Sequence, residues 1–287
     1  MKRPLLAFVA IAYTLSIALS LIIGLTGGFR SPLVGLRFLS MFIPAVALMI
    51  VRSVTSEDLR IEWNRLPARY IVVAILLLPA AMHAAMLPVA VAYEGRLPWE
   101  DWLTPRADGL YHTPAQRGWG TLTPGGLARH IAVNAVVGLV IVSILAFFEE
   151  IGWRAWLLPR LVERTCPRLG VVITSAIWAL WHIPFQLSGV QHADGVLPVA
   201  LALTLPLGIF AAGLVLGWLW LRTESIWIVS LAHGALNAWG QYVFKYMQFV
   251  RAPDSIVGAA GILAVLLLGT LLLTLGPPTA PRPGSVL

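Results

Sequence analysis

The sequence is a succession of apolar runs with short polar breaks between them. Each run is about 20 residues long, the length a helix rising 1.5 Å per residue needs to cross the hydrocarbon core of a bilayer. That succession leaves little choice of fold. It predicts an all-α protein, a polytopic membrane helical bundle with about eight transmembrane helices. Composition agrees: 59% of the residues are hydrophobic and 11% are charged, against about half and about a quarter in soluble domains.

The spans read as Pro4–Leu25, Val34–Val51, Tyr70–Val91, Ile131–Phe148, a fifth that begins near Val171 and contains Ile177–Phe185, then Val196–Leu221, Ile226–Phe244 and Ile256–Leu275. The N-terminus, Met1-Lys2-Arg3 before an apolar run, imitates a signal peptide, but the run is long enough to stay as a first span. Pro79 and Pro88 lie inside the third span, where bundled membrane helices tolerate kinks. The fourth helix is expected to continue through Trp156, with Pro159 as its limit. Between the second and third spans, Arg52–Arg69 interleaves charge with Leu59, Ile61, Trp63 and Leu66, the pattern of a short interfacial helix. The longest polar loop, 93–128, carries Trp99, Trp102, Tyr111 and Trp119, which suit a membrane interface. One domain is expected over 1–275, with a motif core at about 131–244 and a disordered tail over 276–287.

The formal charge is +7. The basic residues sit in loops between spans, as the positive-inside rule requires, and no basic-aromatic recognition module is present, so nucleic acid is not an expected partner. An even number of spans puts both termini on one side. The arginines between the second and third spans, and Arg160, Arg164 and Arg168 after the fourth, predict that side to be cytoplasmic. Cys166 is the only cysteine, which excludes an internal disulfide and a cysteine metal cluster.

Charge inside hydrocarbon is costly, so it is usually paired or functional. Ala146-Phe147-Phe148-Glu149-Glu150-Ile151-Gly152-Trp153-Arg154 places two carboxylates and an arginine at the end of a long apolar helix. Residues four apart share a helix face and neighbours lie about 100° apart. Glu150 and Arg154 can therefore pair, which leaves Glu149 to face elsewhere, toward a cavity. The fifth span carries His182 in Trp178-Ala179-Leu180-Trp181-His182. The seventh carries His233-Gly234-Ala235-Leu236-Asn237, where histidine and amide share a face and small residues allow close helix approach. His233 and Asn237 lie about 11 and 17 Å into that span by helix rise. Any one of these groups alone reads as a satisfied polar residue of the core; together, on three spans this apolar, they read as a site. His83 reads as a hydrogen-bonded packing residue, Ser143, Thr174 and Ser175 as polar residues near the motif helices that form no Ser-His-Asp constellation, His192 and Asp194 as solvated loop, and Gly213 with Gly217 as a helix-packing pair.

In this order EEIGWR, WALWH and HGALN resemble the three motifs EExxxR, FxxxH and HxxxN of the CPBP (Abi) family. That family includes the type II CAAX prenyl endopeptidases and bacteriocin-related bacterial proteins. The resemblance implies an intramembrane endopeptidase that hydrolyses a peptide bond near the cytoplasmic side, on membrane-anchored or lipid-modified peptides. It implies Glu149 as the general base on water, His182 as the residue holding that water, and His233 and Asn237 as stabilisers of the oxyanion. Glu150 and Arg154 would orient the first motif. Trp178 stands where the family pattern has Phe, which keeps an aromatic for packing and narrows the space beside it.

Family members are described both as metalloproteases and as metal-free glutamate peptidases. If zinc were used, Glu149, His182 and His233 would supply its ligands; with no HExxH pair in the chain, the metal-free route is favoured. The implied partners are a peptide or protein substrate in or at the membrane and the lipid bilayer itself. Two other readings remain open on the sequence: a proton-coupled membrane transporter, since intramembrane Glu, His and Arg also build proton relays, and a non-catalytic peptide-binding immunity protein.

Overall fold

The computed structural model describes residues 3–28, 31–55, 63–96, 107–112, 121–190, 199–240 and 254–276. Among them, seven helices are long and apolar enough to cross a membrane. The protein is an all-α multi-pass membrane bundle, as expected. Its elements are α1 (Arg3–Leu25), α2 (Ile43–Val54), α3 (Ile71–Glu94), α4 (Pro124–Val162), α5 (Pro167–Trp181), α6 (Ile183–Val190), α7 (Val199–Thr223), α8 (Ile226–Ala235) and α9 (Asp254–Leu275). α5 and α6 share one span. α8 runs on through π turns over Leu236–Gly240, and the rest of its expected span lies outside the described residues.

Several boundaries differ from the sequence reading for local reasons. The second span enters through a 3-10 helix, Val34–Phe42, and becomes α-helical where Pro44 sits in the first turn, a position that needs no backbone N–H. α4 starts at Pro124 rather than near Ile131, because a proline also suits that first turn. It also passes Pro159, the expected limit, and ends at Val162. The wide π turns over Ile151–Leu157 place Pro159 in the opening turn of a new α-helical segment, where its missing donor costs nothing. The interfacial helix expected over Arg52–Arg69 falls partly on 56–62, outside the described residues; Trp63–Pro67 is irregular before a 3-10 turn at Ala68–Tyr70. In the long loop, Tyr111–His112 (β1) and Thr121–Leu122 (β2) pair antiparallel. Trp99, Trp102, Trp119, His192, Asp194 and the tail from 277 lie outside the described residues.

The bundle is arranged around α8. It packs on α4, α3 and α7, while α7 lies against α5 and α9, and α9 returns to α3. α1 packs against α2 and α6. Ile226, Ile228, Val229, Ser230 and Ala232–Ala235 of α8 are all buried, as expected of a helix surrounded by others. Two contacts depend on glycine. A Cβ on Gly234 would stand 2.6 Å from Ser143 Cα on α4, so only glycine permits that approach. Gly213 and Gly217 of α7 lie against Ser175 and Val171 of α5, where a Cβ would come within 2.7 and 2.6 Å, the packing role their spacing suggests. The outer surface is apolar: Leu263, Leu267, Leu271 and Leu275, spaced at four residues along α9, are exposed, which is the lipid-facing stripe of a spanning helix.

Polar contacts fasten the helix ends on one side of the bundle. Arg168 Nε donates to the Leu273 carbonyl at 2.9 Å and Arg222 Nη2 to the Gly276 carbonyl at 3.2 Å, capping the C-terminus of α9 with cations where the helix dipole favours them. Trp227 Nε1 donates to the Trp63 carbonyl at 2.7 Å, and Arg65 pairs with Glu224 at 2.9 Å. These contacts clasp the segment before α3 to the turn between α7 and α8.

Candidate active site

The site forms where α4, α5 and α8 meet. Glu149 and Glu150 are the last residues of the regular α-helical part of α4, directly before the π turns. Such turns are frequent at functional sites. The two carboxylates diverge, as neighbours on a helix must. Glu150 Oε1 accepts Arg154 Nη1 at 2.8 Å and His233 Nδ1 at 2.8 Å. Glu149 Oε2 accepts the indole Nε1–H of Trp178 at 2.8 Å. Glu150 and Arg154 are fully buried, and Glu149 is 3% exposed.

The expected Glu150–Arg154 pair is present, and it has a third member in His233. Arg154 uses one nitrogen on Glu150 and lays its guanidinium over the Trp178 ring, with Cζ 4.1 Å from the ring centroid. Its Nε and Nη2, and Glu150 Oε2, have no hydrogen-bond partner among the described residues. The stacked ring thus supplies part of what the buried cation lacks. Glu149 bonds instead to the tryptophan on which Arg154 lies.

His182 owes its place to a helix break. α5 stops at Trp181, and the His182 N–H bonds back to the Ala179 carbonyl at 3.2 Å rather than to Trp178. Pro184 has no N–H to continue the ladder. The Trp178 carbonyl then takes His182 Nδ1 at 2.9 Å. A carbonyl only accepts, so Nδ1 carries the proton and Nε2 presents a lone pair. The His182 ring stands edge-on to Trp178 and Trp181, with centroids 5.4 and 4.8 Å away. The His233 ring stands edge-on to Trp178 at 5.2 Å.

One tryptophan therefore touches Glu149, Arg154, His182 and His233. Asn237 follows one turn after His233, within the π turns that end α8, and is half-buried. The weaker candidates take packing roles. Thr174 and Ser175 bond back to the Gly170 and Val171 carbonyls, and His83 to the Pro79 carbonyl. Ser143 Oγ is buried against Gly234 with no hydrogen-bond partner among the described residues. The indole donor of Trp178 is the feature sequence reasoning missed. A buried tryptophan N–H needs an acceptor, and the carboxylates of Glu149 and Glu150 were the acceptors already read as part of one site with that span.

Zinc fits this arrangement poorly. Glu150 Oε1 is committed to Arg154 and His233, Glu149 Oε2 to Trp178, and the Arg154 guanidinium lies over the Trp178 ring. Among the described residues no three His, Cys, Asp or Glu side chains converge as metal ligands, so Glu149, His182 and His233 as placed do not make the three-ligand set.

The fold and this centre define a class: a multi-pass membrane protein with carboxylate, imidazole and guanidinium groups enclosed among its helices. A family model described as "Type II CAAX prenyl endopeptidase Rce1-like" matches residues 131–239, the stretch that holds every residue of the centre. Over that stretch, a little over a third of the chain, the protein is similar to this group of type II CAAX-type membrane endopeptidases. A comparison with the curated proteins found no match.

Proposed function

We propose that the protein is an intramembrane endopeptidase in which Glu149 takes a proton from a water as that water attacks a peptide carbonyl. His182 Nε2, its lone pair free because Nδ1 is bound to the Trp178 carbonyl, holds the water's second hydrogen. His233 Nε2 and the Asn237 amide donate to the developing oxyanion. A donor at His233 Nε2 requires the doubly protonated ring, and Glu150 at 2.8 Å is in place as its counter-ion. As the C–N bond breaks, Glu149 passes that proton to the departing amine, leaving a free amine and a carboxylic acid that carries the water's second hydrogen. No step passes through a metal. The single observation that carries this reading is the separation of the two carboxylates: Glu150 is absorbed by Arg154 and His233, while Glu149 answers to a neutral donor.

The substrate is proposed to be a membrane-associated peptide, and the test is direct. Purified protein in detergent is incubated with a library of unmodified and C-terminally prenylated peptides, with and without a chelator, and products are identified by mass. Cleavage at an internal bond, unaffected by the chelator, is expected. Chelator-sensitive cleavage would overturn the metal-free step. No cleavage, with solute uptake into proteoliposomes instead, would overturn the peptidase reading.

A further inference from the structure

We propose that the Trp178 indole N–H is a positioning donor that fixes the Glu149 carboxylate for reaction, a task the phenylalanine of the resembled motif cannot perform. The role rests on the peptidase reading above. Trp178 meets the centre with three different parts of itself. Its Nε1–H donates to Glu149 Oε2 at 2.8 Å, its ring face receives the Arg154 guanidinium at 4.1 Å, and its carbonyl accepts His182 Nδ1 at 2.9 Å. A phenylalanine would keep the carbonyl and most of the ring face, so the bond to Glu149 is what tryptophan adds.

That bond matters because of where Glu149 sits. The carboxylate follows a regular helix and precedes a π turn, and a glutamate has three side-chain torsions to settle. Fastening Oε2 to a rigid ring on the neighbouring helix restricts them and directs the second oxygen. The same tryptophan sets the ring of His182, so the proposed base and the proposed water holder are registered against one residue. Trp178 is 2% exposed and packed against Arg154, His182 and His233, so its indole has little freedom to turn away.

The experiment separates the donor from the ring. Trp178→Phe removes the N–H and half of the ring system. Replacing Trp178 with 3-benzothienylalanine by nonsense suppression swaps only the N–H for sulfur and keeps shape and π face, so a folding failure of Trp178→Phe leaves the question answerable. Replacement with 5-fluorotryptophan keeps the N–H. Using a peptide that the wild type cleaves, the benzothienyl protein should lose roughly 10- to 100-fold in kcat, the worth of one hydrogen bond to a charged group, with KM unchanged. The fluorotryptophan protein should retain kcat. A benzothienyl protein with wild-type kcat, or one altered in KM alone, would overturn the role of Trp178 and leave the peptidase reading standing. A wild type that cleaves no peptide would instead overturn that reading and this role with it.

Discussion

At the residue scale, the account turns on which carboxylate is occupied. Glu150 and Arg154 are fully buried, and removing one member of a buried pair strands the other in low dielectric. Arg154→Met should therefore lower stability by about 3–5 kcal/mol, read as thermal unfolding in detergent. The double variant Glu150→Gln with Arg154→Met should cost less than the two single changes added together, because neither charge is then left alone. Equal costs would mean that the pair does not act as a unit. The pairing of Glu150 with Arg154 was legible from their spacing of four. The recruitment of His233 to the same oxygen was not, since it joins residues 83 apart in sequence and follows from how α8 lies on α4.

At the element scale, the site is held by how closely helices approach. A Cβ at Gly234 would stand 2.6 and 2.7 Å from the Ser143 Cα and N, backbone atoms that cannot swing aside. Gly234→Ala should push α8 off α4, move His233 relative to Glu150 and reduce peptide cleavage by about 100-fold, the scale of a 1 Å misplacement. Gly208→Ala, which meets only the flexible Ile262 side chain at 3.1 Å, should leave cleavage near wild type. Equal activity in the two variants would contradict the account. The glycine's role was partly legible, because small residues flank the HxxxN motif. The π turns were not. Residues 151–157 read as ordinary apolar helix ending near a proline, and nothing in a period of 3.6 announces the wider turns that carry α4 past Pro159. The break at His182 was hidden in the same way, although Pro184 two residues later was its signal.

At the scale of the whole molecule, the spans were the most legible part, because hydrocarbon imposes length and apolarity on every crossing segment. Orientation is a prediction with its own reporter. Cys166 is exposed and is the only cysteine in the chain, and it follows the arginines expected on the cytoplasmic side. A membrane-impermeant maleimide should label it only after cells are opened; labelling in intact cells would invert the predicted topology. Enclosing charge among three helices is a burden on such a bundle, and we infer that the chemistry at Glu149 is what maintains it. The most direct measurement is the turnover of a cleaved peptide by purified Glu149→Gln protein, alongside its thermal unfolding. The account predicts a loss of at least about 100-fold, the contribution of a positioned general base, in a protein that still folds. Wild-type turnover in that variant would contradict it.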